Sequence, residues 1–148
     1  MSGIKIILKC NIYCKFILIA YILAYIGATY NHVMDIKNFG LFYHDLNTNV
    51  PLIVKTYWTL LTLADPISII ILLINARAGI ISYTIIIVSD VIINILIALN
   101  LWGIHGLLNI GMICQFGFMV FLLTTYKSIL NEIKRLIRLK TTDQSAFI

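Results

Sequence analysis

Charge is what this chain has least of. Only 11% of its 148 residues are Asp, Glu, Lys or Arg, while 61% are hydrophobic. A soluble domain carries about 25% charged and about 45–50% apolar residues, so a water-soluble fold would have to expose apolar surface on a large scale. The distribution of the few charges also excludes a nucleic-acid surface. The net charge of +5 comes from Lys and Arg that flank apolar segments, not from a basic patch interleaved with polar and aromatic residues. There is no CxxC pair. Cys10, Cys14 and Cys114 are an odd set; Cys10 and Cys14 have the spacing of one helix face, but no His or acid stands beside them. They read as small apolar residues, no metal or cofactor is expected, and their redox state stays open. HExxH and nucleophile motifs are missing too, so an enzyme is the weakest of the readings. No internal repeat suggests an inverted-repeat transporter.

What the chain does have is long apolar segments. Runs such as Ile69-Ile70-Ile71 and Ile85-Ile86-Ile87 would suggest buried strands in a soluble protein. Here they sit inside stretches long enough to cross a hydrocarbon core of roughly 30 Å, which takes about 20 helical residues. Length decides for membrane helix. The expectation is a single-domain, all-α membrane protein with four transmembrane helices at about 12–31, 52–74, 80–102 and 107–126. The basic start and first apolar run also fit a secretory signal, but no small-x-small cleavage site follows Gly27, so a retained first helix is expected. On that helix Cys14, Tyr21, Tyr25 and His32 fall on one stripe, best read as tyrosines packing against neighbours.

Residues 31–51 form the only sizeable polar stretch, read as a surface loop. Its His32, Asp35, His44 and Asp45 match no metal-binding spacing, and a solvated loop is the simpler account. Beyond residue 126 the character changes again. Leu130, Ile133, Leu136 and Ile137 lie opposite Lys127, Lys134, Arg135 and Arg138. This predicts a basic amphipathic surface helix over 127–140, resting on an anionic inner leaflet. The last eight residues read as a frayed tail.

The organising feature is the hairpin formed by the second and third segments. Each carries one acid, Asp65 and Asp90, which stand 12 and 13 residues from Arg77 in the connecting turn and so are expected at matching depth. Lys55, Trp58, Thr62 and Asp65 share one face, as do Tyr83, Asp90 and Asn94. Pro66 cannot donate a backbone hydrogen bond, which frees the Thr62 carbonyl and favours a kink. Gln115, on the fourth segment, is the expected partner for one of the acids. A charged Asp at mid-membrane costs about 2.5–3.5 kcal/mol on insertion scales, and desolvation favours the neutral form of such a carboxyl.

Nine of the eleven basic residues fall on the side that holds both termini and Arg77; only Lys37 and Lys55 fall opposite. The positive-inside rule then predicts an antiparallel bundle with both termini cytoplasmic, in a plasma or bacterial inner membrane. Three function classes stay open. The leading one is a structural or accessory component acting through helix–helix association, with a homo-oligomer or another membrane protein as partner. The others are a proton- or ion-coupled carrier or pore using the acids, and a membrane-embedded lipid-modifying enzyme.

Overall fold

The computed structural model describes residues 3–43 and 49–145. Within them the chain is helical throughout: α1 (Gly3–Lys9), α2 (Ile12–Phe39), α3 (Leu52–Ile74), α4 (Ala76–Trp102) and α5 (Ile110–Ser145), with 3-10 turns at Leu41–Tyr43 and Gly103–Leu108. Four of these helices, α2 to α5, are long and apolar enough to cross a membrane. Leu23 and Ile26 on α2, Leu63 and Ile70 on α3, Ile85 and Leu96 on α4, and Ile113 and Phe116 on α5 are all exposed. Helices apolar on every side bury one face in protein and give the other to lipid. The protein is a small multi-pass membrane protein.

Local chemistry sets the helix ends. Asn11 caps α2, its side-chain oxygen accepting from Cys14 N at 2.8 Å. Asn75 alone joins α3 to α4. Its backbone N–H closes α3 on the Ile71 carbonyl at 2.7 Å, and its side chain opens α4 by accepting from Ala78 N at 3.2 Å. Such capping by a short amide satisfies backbone groups that a helix end leaves orphaned. Gly103 stops α4 at φ 62°, a backbone region that a Cβ disfavours.

Four expectations need correction. The first helix does not end near residue 31 but runs to Phe39, since no glycine or proline stands between residue 31 and Gly40. His32, Asp35 and Lys37 are therefore helical, not part of a loop. The third helix starts at Ala76, not near 80, because Asn75 caps both neighbours. The fourth helix and the surface helix expected over 127–140 are one continuous 36-residue helix. At about 1.5 Å per residue it is about 54 Å long, well beyond a hydrocarbon core of roughly 30 Å. Its Ile129, Ile133 and Leu136 join Ile6 of α1 and Cys10 in the protein core, so protein covers part of that apolar side, while Ile137 stays exposed. Lys127, Lys134, Arg135 and Arg138 are exposed. The stretch read as a frayed tail is helical as far as Ser145. The sequence readings on His44, Asp45, Asn47 and the Lys140 side chain lie outside the described residues. Helix α3 coincides with the expected 52–74, and Pro66 sits inside it.

The core is lopsided. It gathers Ile6, Cys14, Leu18 and Tyr21 from the first part of the chain, Leu72, Ile80 and Tyr83 around the Asn75 hinge, and Leu122, Ile129 and Ile133 from the second half of α5. Contact at the hinge is close. A Cβ on Gly79 would overlap the Leu72 backbone, whereas one on Gly27 would meet nothing within 4 Å. Replacing Gly79 by Leu is therefore expected to destabilise the hairpin by about 1–3 kcal/mol, the range for overpacking. Thermal unfolding in detergent would show this as a midpoint several degrees lower, with Gly27→Ala as the neutral control.

Candidate functional site

The end away from the hinge is hollow. There α2, α3, α4 and α5 surround a chamber of about 870 Å³, lined by Asp35, Asp65, Asp90, Asn94 and Gln115 and walled by Tyr25, Phe39, Trp58, Trp102 and Phe118. A second cavity of about 600 Å³ adjoins it along Trp58, Asn94 and Trp102 and reaches His105 in the 3-10 turn.

Asp90 is fully wired. Asn94 Nδ2 donates to Asp90 Oδ1 at 3.0 Å, and Gln115 Nε2 donates to Asp90 Oδ2 at 3.1 Å. Asn94 Nδ2 also donates to Gln115 Oε1 at 3.0 Å, while Trp58 Nε1 donates to Asn94 Oδ1 at 2.8 Å. The chain of bonds links α3, α4 and α5. Its sequence logic is simple: Asp90 and Asn94 are one helical turn apart on α4, so their side chains meet.

Asp65 is different. It is 2% exposed, and the basic side chain beside it is His32, with Nε2 3.7 Å from Asp65 Oδ2. That is an ion-pair distance, too long for a hydrogen bond. Among the described residues no donor bonds the Asp65 carboxyl. Three further buried polar atoms also lack partners there: His32 Nδ1, Thr62 Oγ1 and Tyr83 Oη. Thr62 is one turn from Asp65 on α3. Unmet polar groups at about 1–3 kcal/mol each thus concentrate around a single carboxyl.

The two acids are not level. Cross-helix bonds Ser68–Ser82 and Trp58–Asn94 centre the antiparallel hairpin on residues 75–76, not on Arg77. Asp65 stands 10 residues before Asn75 and Asp90 stands 15 after it. From residue 76 the offsets are 11 and 14, so the stagger is three to five residues, about 4.5–7.5 Å of helix rise. Side chains lean toward the N-terminus of their own helix, so on antiparallel helices these two lean toward one another. They remain electrostatic neighbours.

An aromatic layer separates the chamber from the packed end. Tyr25 stacks on Tyr83 with ring centres 3.9 Å apart, and Tyr25 Oη donates to the Tyr83 carbonyl at 2.6 Å. Tyr21 sits edge-on to Tyr83, Phe118 and Phe121. Its hydroxyl bonds Thr125 Oγ1 and the Leu122 carbonyl. The stripe Cys14, Tyr21, Tyr25 and His32 is buried along its whole length.

Of the sequence candidates, Asp65, Asp90, Asn94 and Gln115 converge on the chamber. Tyr83 and Thr62 lie behind it, and neither bonds an acid. His32 was set aside as a loop residue; its place on the buried stripe was the signal that it belonged here. Cys10 lies in the break between α1 and α2, so it and Cys14 do not share a helix. Both are buried free thiols, and among the described residues no three His, Cys, Asp or Glu side chains group to hold a metal.

No family model, curated protein or solved structure matches the chain. Fold and site alone define its class: a small all-helical membrane protein, packed at one end and opened at the other into an acidic chamber. Asn94→Leu removes a donor from Asp90 and an acceptor from Trp58 together. It should lower stability by about 1–3 kcal/mol and shift tryptophan emission to the blue. Unchanged emission would mean that the Trp58–Asn94 bond does not form in lipid.

Proposed function

We propose that this protein is a proton- or ion-coupled membrane carrier or pore component in which Asp65 is the exchanging carboxyl. One observation supports this reading above the others. Asp65 is buried against an open chamber without a hydrogen-bond donor among the described residues, while Asp90 nearby has both oxygens occupied. A purely architectural acid would be expected in a dry core with its bonds complete, as buried polar groups usually are. Asp90 then serves as the fixed neighbour that makes ionisation of Asp65 depend on its surroundings. In this reading His32 is the relay between Asp65 and the chamber mouth.

The charge pattern of the sequence supports an antiparallel bundle with both termini cytoplasmic, in a plasma or bacterial inner membrane. The packed, basic-flanked end then faces the cytoplasm and the chamber faces outward. Exposed Lys127, Lys134, Arg135 and Arg138 would meet an anionic inner leaflet from the side of α5. Four helices are few for a carrier, so a homo-oligomer belongs to the proposal. The aromatic layer is the gate that transport has to open.

A second reading, a structural or accessory component, is favoured by the Trp58–Asn94–Asp90–Gln115 bonds, which tie three helices together. A lipid-modifying enzyme gains an acid–histidine pair from His32 and Asp65, but the site supplies no activated nucleophile.

Infrared carboxyl absorption of the protein in lipid separates the first two readings. A band that titrates between mildly acidic and mildly alkaline buffer and disappears in Asp65→Asn, with assembly intact, is the expected result. Proton flux in vesicles should vanish in the same variant. A carboxyl band indifferent to pH would sink the carrier reading and leave the architectural one.

A further inference from the structure

We propose that the chamber receives the cationic headgroup of an amphiphile that enters sideways between α2 and α5 and leaves its tail in the lipid. The inference rests on the reading of Asp65 as the working carboxyl and adds the class of molecule it works on.

Charge selects the head. Three carboxyls, Asp35, Asp65 and Asp90, line the chamber, and no Lys or Arg is among its described lining residues. Low-dielectric walls strengthen the attraction of such a cleft for a cation. Trp58, Trp102, Tyr25 and Phe118 supply aromatic surface around the acids, the setting in which alkylated ammonium groups are held by ring faces. Asp65, 2% exposed and without a hydrogen-bond donor, has only the His32 imidazole beside it at 3.7 Å and is the group to which the head would be drawn. A volume of about 870 Å³ suits a compact headgroup and its first carbons, within the usual range of small-molecule sites of about 300–1,000 Å³. A whole lipid would not fit.

Packing selects the route. Where α2 meets α5, the bonds and ring contacts run through Tyr21 and Tyr25 to Phe118, Phe121, Leu122 and Thr125. Farther toward the hollow end, no such contact joins α2 to α5 among the described residues. There, beside larger residues such as Met34 and Gln115, α2 offers Ala24 and Ala28 to the chamber and α5 offers Gly111 and Cys114, short side chains that leave gaps in the wall. By contrast, α3 and α4 stay bonded as far out as Trp58–Asn94 and Tyr57–Ser89. The weak seam of the bundle is the one between its first and last spans, and it faces lipid.

The two tryptophans of the chain, Trp58 and Trp102, both line the chamber; Trp102 is also exposed outside it, so the saturable part of contact quenching reads occupancy. The protein in zwitterionic vesicles would be titrated with N-dodecylpyridinium, whose head quenches indole. The controls are tail-less N-methylpyridinium and the neutral tailed quencher N-dodecylacrylamide. Saturable quenching by dodecylpyridinium is expected, at least about tenfold weaker in Asp65→Asn, a change of about 1.4 kcal/mol. The neutral quencher should act without saturation and equally on both forms. Ala28→Phe should slow the tailed cation and leave N-methylpyridinium unaffected.

Equal quenching of wild type and Asp65→Asn by the tailed cation overturns the proposal, and so does equal saturation by neutral and charged tails. Saturation by N-methylpyridinium as tight as that by the tailed probe overturns the lateral route. The Asp65→Asn comparison decides the headgroup even where Ala28→Phe fails to assemble. If the carboxyl band still titrates while quenching ignores Asp65, the amphiphile falls and the ion-coupled reading survives.

Discussion

The acid of Asp90 is held between membrane-crossing helices by side-chain donors, and those donors organise the hollow half of the protein. A charge at the centre of a bilayer costs about 2.5–3.5 kcal/mol even on the mildest scale. Asn94 comes from the same helix, one turn away, and Gln115 comes from α5. Because Asn94 also holds Gln115 and accepts from Trp58, the side chains that satisfy one carboxyl also set the spacing of α3, α4 and α5. The order of the helices on this side follows from hydrogen bonds, not from apolar packing. In lipid that is physically sensible, since lipid tails are as apolar as leucine and give helices little reason to associate through apolar faces alone.

The other half is held by shape. Around the Asn75 hinge the core is aliphatic and close, with Gly79 letting the α4 backbone approach Leu72. Helix α1 and the second half of α5 extend this core through Ile6, Ile129 and Ile133. The two modes of cohesion join at the layer of Tyr21, Tyr25, Tyr83 and Phe118. Tyrosine suits that boundary because its ring packs while its hydroxyl still reaches a partner. Tyr21 and Tyr25 find one, but Tyr83 does not. Its hydroxyl is 0% exposed with its ring, so the boundary keeps one unmet polar group on the side of Asp65.

Period and length carried much of this architecture. The bounds 52–74 for α3 follow from them, and so does the buried stripe from Cys14 to His32. Faces shared by Asp90 and Asn94 were legible because one helix positions both. What the sequence did not carry was relative placement. Counting from Arg77 put the acids level, because nothing in the residues announced that Asn75 caps two helices at once and moves the turn centre. Reading residues 31–51 as a polar loop followed from composition, yet α2 continues through them until Gly40. That hid the His32–Asp65 pair, which needs two helices and eight more residues of α2. The basic segment after residue 126 was amphipathic as read. Its apolar side meets α1, a short helix whose docking no periodicity within the segment could announce.

The difference between the two acids is the last consequence of this geometry, and it bears on function. A stagger of about 4.5–7.5 Å gives each carboxyl its own neighbours. Asp90 falls beside an amide one turn along its own helix and another across the α4–α5 seam. Asp65 is followed by Pro66, which removes a backbone donor from its own turn, and it faces α2, where only an imidazole comes near. Donors fix a carboxyl; an imidazole at ion-pair distance leaves it free to exchange what it binds. Had the acids been level, both would have competed for Asn94 and Gln115, and neither would have been complete. The offset lets one acid build the chamber while the other, in the proposed function, works in it.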